Sequence, residues 1–167
     1  MISVLILTHN EEHDLPCCLN ALTWCNDVVV YDSYSTDNTK SIAVDSGARF
    51  VLRPDQDTTL PFGGDESYHR NWALRFIKYA YPWLLILDAD ERLTHDALNS
   101  IRLILEQNTT AHSTSAGGSP VAYQLRRRDY FQGRHLKHVQ ATPFYIRLFR
   151  PEFIHYERLV NPITFVS

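Results

Sequence analysis

The chain has 167 residues, of which 44% are hydrophobic and 21% are charged, so it can form one domain with a buried core and is not a disordered tail. Residues 1–120 hold 8 basic and 16 acidic side chains, whereas residues 121–167 hold 8 basic and 3 acidic ones. The acidic first part argues against nucleic acid as a partner, because phosphate neutralisation dominates such affinities. The basic second part could face phosphate groups or an anionic membrane surface, or it could be ordinary surface charge.

The sequence shows no targeting or membrane-spanning segment. Its longest apolar runs fall short of the ~20 residues that cross a bilayer. The N-terminal apolar run, residues 2–7, has no basic region before it and breaks at Thr8, which favours a strand over a signal peptide. We therefore expect a cytoplasmic protein.

Strands alternate with helices over the first two thirds of the chain. Short apolar runs predict buried strands, and apolar residues at helical spacing predict amphipathic helices. In chain order, the predicted elements are a strand at 2–7, a helix at 11–23, a strand at 27–32, a helix at 36–47, a strand at Arg49–Leu52, a helix at 67–81, a strand at 83–87 and a helix at 93–106. This alternation predicts an α/β fold with a mostly parallel sheet.

The remaining segments have a different character. Residues 54–66 contain prolines and glycines and predict a loop, and residues 107–120 predict a flexible surface loop because they are rich in Ser, Thr, Ala and Gly. Residues 121–131 and 143–149 predict two more strands. We expect a single domain over 1–167, with 1–106 as its first half and 121–167 as an incomplete second segment.

Polar residues follow three of the four early strands. Residues 8–11 follow the first strand, residues 32–37 the second and residues 88–91 the fourth. Ligands of open parallel sheets bind beyond the carboxyl ends of the strands. If these three strands are neighbours, their carboxylates meet at one edge of the sheet.

Asp88 and Asp90 are separated only by Ala89. In extended backbone both carboxylates point to the same side, and a hard divalent cation would relieve their repulsion while keeping positions for water and a diphosphate. In isolation the pair could instead cap a helix, and Asp32 could simply form a turn. No GxGxxG or GxxxxGK[ST] loop follows any strand, which argues against dinucleotide-binding and P-loop proteins.

Four segments resemble, in order and spacing, the successive motifs of family 2 glycosyltransferases with the GT-A fold. They are VLILTHNEE at 4–12, VYDSYSTDNT at 30–39, HRNWA at 69–73 and LILDADE at 85–91. RLFR at 147–150 is similar to a stretch of the branch that makes bacterial surface polysaccharides. The resemblance implies a three-layer α/β sandwich and an inverting, hexosyltransferase-type enzyme. It would move a sugar from a nucleotide-diphosphate donor, such as a UDP-sugar, to a glycan or lipid-linked acceptor, with peripheral contact at the inner membrane.

The resemblance also implies roles for individual residues. Asp32 matches the position that binds the base, Asp88 the carboxylate near the ribose and metal, and Asp90 the direct ligand of Mn²⁺ or Mg²⁺. The residues expected to bind the nucleotide-sugar are Thr8, Asn10, Glu11, Asp32, Arg70, Asn71 and Asp88.

The sequence departs from the family pattern at the position of the catalytic base. An inverting transferase needs a carboxylate that takes the proton of the acceptor hydroxyl. If residues 160–162 occupy the position of the family's VHE motif, its glutamate is missing, and Glu157 is the nearest substitute with Asp129 as the alternative. Residues 126–128, three arginines, could approach an acceptor phosphate or form a solvated strand edge. A homologue that binds nucleotide or metal without turnover is the alternative function.

Overall fold

A computed structural model describes residues 1–54, 65–110, 120–136, 144–157 and 163–166, and the structural statements below concern these residues. The elements, in chain order, are β1 (Ser3–Thr8), α1 (Leu15–Asn20), β2 (Val28–Asp32), α2 (Thr39–Asp45), β3 (Arg49–Leu52), α3 (Glu66–Phe76), β4 (Leu84–Asp88), α4 (His95–Thr110), β5 (Ala122–Arg126), β6 (Asp129–Phe131), β7 (Arg134–Leu136), β8 (Phe144–Phe149), a short 3₁₀ helix (Pro151–Phe153), β9 (Ile154–Glu157) and β10 (Ile163–Val166).

One six-stranded sheet organises the fold, in the order β3-β2-β1-β4-β8-β5. The four strands from β3 to β4 are parallel, whereas β8 runs antiparallel to β4, and β5 runs antiparallel to β8. The α/β fold with a mostly parallel sheet is therefore confirmed. Both halves of the chain contribute strands to this sheet, although the proposed boundaries between the halves stay a prediction.

The three strands that end in polar residues are neighbours. In the parallel register, Thr8 at the end of β1 pairs with Asp32 at the end of β2. On the other side of β1, Leu7 pairs with Asp88 at the end of β4. The expectation that residues 8–11, 32–37 and 88–91 meet at one edge is confirmed.

The sheet is covered on both faces, because its central strands are apolar on both sides. Val4 and Ile6 of β1 belong to one buried cluster with side chains from α1, α2 and α4. Leu5 points the other way and packs in a second cluster with Ala73 of α3 and Tyr156 of β9. This alternation gives the three layers of the predicted sandwich.

The helices α1, α2 and α3 are shorter than predicted; α2, for example, spans Thr39–Asp45 rather than 36–47. α1 begins at Leu15 rather than at residue 11; before it, the Glu11 N–H donates to Thr39 Oγ1 at the start of α2, and the Glu12 N–H donates to Asp37 Oδ2 in the loop after β2. α3 ends at Phe76 rather than at residue 81. Beyond it, the Ala80 N–H donates to Asp27 Oδ2, which draws the chain away from the helix.

The elements after β4 also differ from the expectation. α4 continues to Thr110, so residues 107–110 of the predicted loop are helical, and 111–119 lie outside the described residues. The strand predicted at 121–131 is two strands, because β6 turns away to form a hairpin with β7. Gln132 (φ 46°) and Gly133 (φ 74°) supply the left-handed conformations of the two-residue turn. The sequence did not predict β9 and β10, and most of the predicted 54–66 loop, 55–64, lies outside the described residues.

Within the described ranges, no helix has both the length and the apolar composition needed to cross a membrane.

Candidate active site

Side-chain hydrogen bonds join the loop after β1 to the loop after β2. Asn10 has a left-handed backbone (φ 58°), a conformation that asparagine tolerates better than most residues. Its N–H donates to Ser35 Oγ at 2.8 Å, and its Oδ1 accepts the Thr36 N–H at 2.8 Å. Asn10 therefore fixes the relative position of the two loops at the edge where a ligand is expected.

Thr8 and Asp32 are in direct contact at the centre of this edge. The Thr8 hydroxyl donates to Asp32 Oδ1 at 2.9 Å, and the Ser35 N–H donates to Asp32 Oδ2 at 2.8 Å. The Ser35 hydroxyl adds a third hydrogen bond to the same carboxylate, which is only 1% exposed. Asp32 thus shapes the turn after β2, and its binding of a base stays a prediction.

The pKa of Glu11 is raised by its surroundings at this edge of the sheet. Burial raises the pKa of Glu11, and repulsion from four nearby carboxylates raises it further; in decreasing order of effect these belong to Asp90, Asp14, Asp37 and Asp88. Carboxylates from the ends of β1, β2 and β4 therefore act on one another at close range. A bound cation would relieve this repulsion.

Arg147 of β8 bridges two carboxylates of the β4 end. Its Nη2 lies 3.0 Å from Asp88 Oδ2 and 2.7 Å from Glu91 Oε1, and its side chain is only 14% exposed. The other oxygen of Glu91 accepts the Asp88 N–H at 3.0 Å. The sequence did not indicate a site role for Glu91 or Arg147, although both lie in motifs that resemble the family.

The chemistry of the residues after β4 fits a divalent cation bound through few protein ligands. Asp90 is exposed at the start of the turn after β4, and Asp88 lies two residues before it. In the described part of the chain, no group of three or more His, Cys, Asp or Glu side chains could hold a metal ion. Mg²⁺ is commonly bound by only one or two carboxylates together with waters and substrate phosphates, so Asp88 and Asp90 fit that type of site.

The second half of the chain reaches the site through contacts between α3 and β9. Asn71 makes a two-point contact with Tyr156: its Nδ2 donates to the Tyr156 carbonyl at 2.8 Å, and its Oδ1 accepts the Tyr156 N–H at 2.9 Å. The Ser67 hydroxyl donates to the Glu157 carbonyl at 2.7 Å. In this arrangement Asn71 positions β9, a structural role that the sequence did not indicate.

Arg70 of α3 contacts Tyr156 of β9. Its Nε lies 3.1 Å from Glu66 Oε2, and its guanidinium lies over the Tyr156 ring at 5.5 Å from the centroid. Burial alone would lower the pKa of Arg70, but Tyr156, Glu66 and Asp88 together raise it. Arg70 is therefore within electrostatic range of the Asp88 carboxylate, and its binding of a nucleotide stays a prediction.

The two candidate bases have different surroundings. Glu157 is exposed at the last position of β9, beside the α3 residues that hold this strand. Asp129 forms an ion pair with Arg127 at 2.9 Å and lines a cavity that Asp90 also lines. Glu157 therefore lies beside α3, whereas Asp129 lies at the cavity that it shares with Asp90.

Comparisons with known proteins agree with this geometry. An uncharacterized glycosyltransferase of Rickettsia typhi is 27% identical over 165 residues, which cover 98% of this chain and 51% of the relative. The lipopolysaccharide core biosynthesis glycosyltransferase LpsC of Rhizobium meliloti is 29% identical over 137 residues, or 79% of this chain and 44% of LpsC. The chain thus spans about half the length of the first of these curated relatives.

Similarity in three dimensions supports the same fold. The crystal structure of S. aureus TarS 1-349 matches with a TM-score of 0.57 and 16% identity, over 94% of this chain and 50% of that one. The predicted GT-A fold is therefore confirmed. The family model for glycosyl transferase family 2 matches residues 3–163. The chain belongs to glycosyl transferase family 2.

Proposed function

We propose that the chain forms the donor site of an inverting glycosyltransferase that moves a sugar from a UDP-sugar to a hydroxyl group. The observation that carries the proposal is the meeting of the ends of β1, β2 and β4, where Thr8 pairs with Asp32 on one side of β1 and Leu7 pairs with Asp88 on the other. Membership of glycosyl transferase family 2 supports this reaction class.

In this proposal the donor lies across the three strand ends. Thr8, Asn10 and Glu11 border the nucleoside, and Asp32 bonds to the base. The Arg70 guanidinium, which lies over the Tyr156 ring and interacts electrostatically with Asp88, would bind a phosphate of the donor. Asn71 contributes by holding β9 in place.

A divalent cation, Mn²⁺ or Mg²⁺, completes the proposed site. Asp90 would hold it, with Asp88 beside it, and the donor and water would fill the remaining positions. When bound, the cation offsets negative charge on the departing diphosphate.

The acceptor hydroxyl attacks the anomeric carbon from the side opposite the diphosphate. The new C–O bond forms as the bond from that carbon to the diphosphate oxygen breaks, and the electron pair of the broken bond leaves with UDP. Glu157 takes the hydroxyl proton, and Asp129 is the second candidate for this role. The single displacement inverts the anomeric configuration.

We further propose that the acceptor is a glycan or lipid-linked intermediate of envelope polysaccharide synthesis, and that the protein acts in the cytoplasm or at the cytoplasmic face of the membrane. The similarity to LpsC supports this proposal, because its name places that relative in lipopolysaccharide core biosynthesis.

Release of UDP from a panel of UDP-sugars, with Mn²⁺ present, tests the proposed function. Glu157→Gln should lower turnover about 10²- to 10⁴-fold, the usual contribution of a general base, while UDP binding is retained. Glu152→Gln is the matched control, since Glu152 is also exposed and pairs only with the neighbouring Arg150 among the described residues. If Asp129→Asn lowers turnover and Glu157→Gln does not, Asp129 is the catalytic base. UDP binding without any turnover would favour the alternative, a protein that binds nucleotide without catalysis.

A further inference from the structure

A cavity of about 650 Å³ lies between the start of α4 and the ends of β5 and β8. Its volume falls within the range of about 300–1,000 Å³ that is typical of small-molecule sites. Asp90 lines it, whereas Thr8, Asn10 and Asp32 are absent from the described lining. Asp90 is therefore the residue of the proposed donor site that lines the cavity, and Arg147, another lining residue, bonds to Asp88 of that site.

Two arginines of this cavity have no acidic partner among the residues that the structure describes. Arg126 is the last residue of the edge strand β5, and Arg128 follows two positions later; both are exposed and both line the cavity. Across the described ranges, neither side chain makes an ion pair. Arg92, a third arginine of the lining, donates to the carbonyls of Ala89 and Glu91, which carry no net charge.

Most of the negative charge in the cavity is balanced by nearby positive charge. Arg147 pairs with Glu91 at 2.7 Å, and Arg127 pairs with Asp129 at 2.9 Å. Asp96 lies in the first turn of α4, where the helix dipole stabilises a negative charge. Asp90 remains, and in the proposed function it carries a cation. The uncompensated charge of the cavity is therefore positive.

Aromatic surface lies beside these charges. The Tyr130 side chain is 61% exposed at the cavity lining, and the guanidinium groups of Arg127 and Arg147 lie over the Tyr145 ring at 5.3 and 5.8 Å from its centroid. A tyrosine offers a flat apolar face together with a hydroxyl group, which suits a ligand that has both C–H faces and polar groups.

We propose that this cavity binds the acceptor and that the acceptor is a sugar bearing an anionic group, a phosphate or a carboxylate, held by Arg126 and Arg128. The inference rests on the proposed function, which places the reacting donor beside Asp90. It adds the chemical class of the acceptor and the residues that select it.

Titration of the 167-residue chain with three probes tests this inference: glucose 6-phosphate, glucuronic acid and uncharged glucose. NMR chemical shifts follow each titration, first in plain buffer and then with saturating UDP and Mn²⁺. In the second condition UDP occupies the donor site, so a probe that had bound there is displaced. At least one anionic probe should bind about tenfold more tightly than glucose in both conditions, and the two anionic probes distinguish phosphate from carboxylate.

The double variant Arg126→Gln/Arg128→Gln should weaken binding of the anionic probe about tenfold and leave UDP binding unchanged. Arg134→Gln is the matched control, because Arg134 is an exposed arginine of the nearby hairpin and does not line the cavity. Equal binding of charged and uncharged sugars, or anion binding that the double variant leaves intact, would overturn the inference. If the wild type does not bind UDP, the proposed function is contradicted. The titrations in plain buffer would still test whether the cavity binds an anionic sugar.

Discussion

The guanidinium of Arg147 lies 3.0 Å from the carboxylate of Asp88, although the two residues are 59 positions apart in the sequence. The contact exists because β8 lies beside β4 in antiparallel orientation. The same guanidinium nitrogen also bonds to Glu91, whose second oxygen holds the Asp88 N–H. Arg147 therefore fixes the turn that carries Asp90.

Arg147→Met should lower the free energy of unfolding by about 2 kcal/mol, because it leaves two partly buried carboxylates without their charged hydrogen-bond donor. Arg150→Met is the matched control from the same motif. Arg150 pairs with an exposed glutamate, and such surface pairs contribute about 0–1 kcal/mol. Urea denaturation measures both. If both variants lower the free energy of unfolding equally, Arg147 does not fix the turn after β4. The absence of a coupling energy between Arg147→Met and Glu91→Gln in a double-mutant cycle would contradict it as well.

Glu11→Gln should make the protein more stable at pH 7 than the wild type. The pKa of Glu11 is raised in the folded state, first by burial and then by Asp90 and the other nearby carboxylates, so the fold disfavours the ionised form. Below the ordinary pKa of a glutamate carboxyl, about 4.3, the group is protonated in both the folded and unfolded states, and it imposes no penalty. The penalty develops as the pH rises from there through the folded pKa.

The measurement is the melting temperature of wild type and Glu11→Gln at several pH values between about 3.5 and 7.5, a range that begins below the ordinary carboxyl pKa and ends well above it. The difference between the two proteins should be small at the acidic end and should grow in favour of Glu11→Gln towards neutral pH. A difference that does not change with pH would show that the carboxylates do not interact in this way.

Asn71→Ala should destabilise the protein by about 2 kcal/mol, because it removes two hydrogen bonds to the Tyr156 backbone at roughly 1 kcal/mol each. It should also lower turnover more than it lowers UDP affinity, since β9 carries Glu157. Ser67→Ala removes one bond to the same strand and should cost about half as much. Urea denaturation and UDP titration test both effects. Unchanged stability with a large loss of UDP affinity would make Asn71 a nucleotide ligand rather than a positioning residue.

Local sequence patterns predicted the parallel part of the fold because each signal lies within a few residues. The apolar runs of β1, β2 and β4 are short and end in polar residues, and those ends proved to be neighbours. The boundaries of α1 and α3 were less predictable. Each boundary lies beside a contact with a side chain distant in sequence: Thr39 bonds to the backbone before α1, and Asp27 bonds to the backbone after α3.

The contacts that tie the second half of the chain to the site were not predictable from one sequence. Arg147 reaches Asp88 only when β8 pairs with β4, and Asn71 reaches Tyr156 only when β9 packs against α3. Neither contact has a local signal. The hairpin turn at Gln132 and Gly133, by contrast, has a partial local signal, because a glycine between two short strands is typical of such a turn.

Calorimetric titration of UDP with and without Mn²⁺ tests the central claim most directly, in wild type, Asp90→Asn and the control Asp96→Asn. Asp96 is an exposed carboxylate six positions away that takes no part in the proposed metal site. Mn²⁺ should strengthen UDP binding about tenfold or more in the wild type and in Asp96→Asn, and Asp90→Asn should lose this gain in affinity. UDP binding that is absent from the folded wild type, or that depends on Mn²⁺ equally in all three proteins, would contradict it.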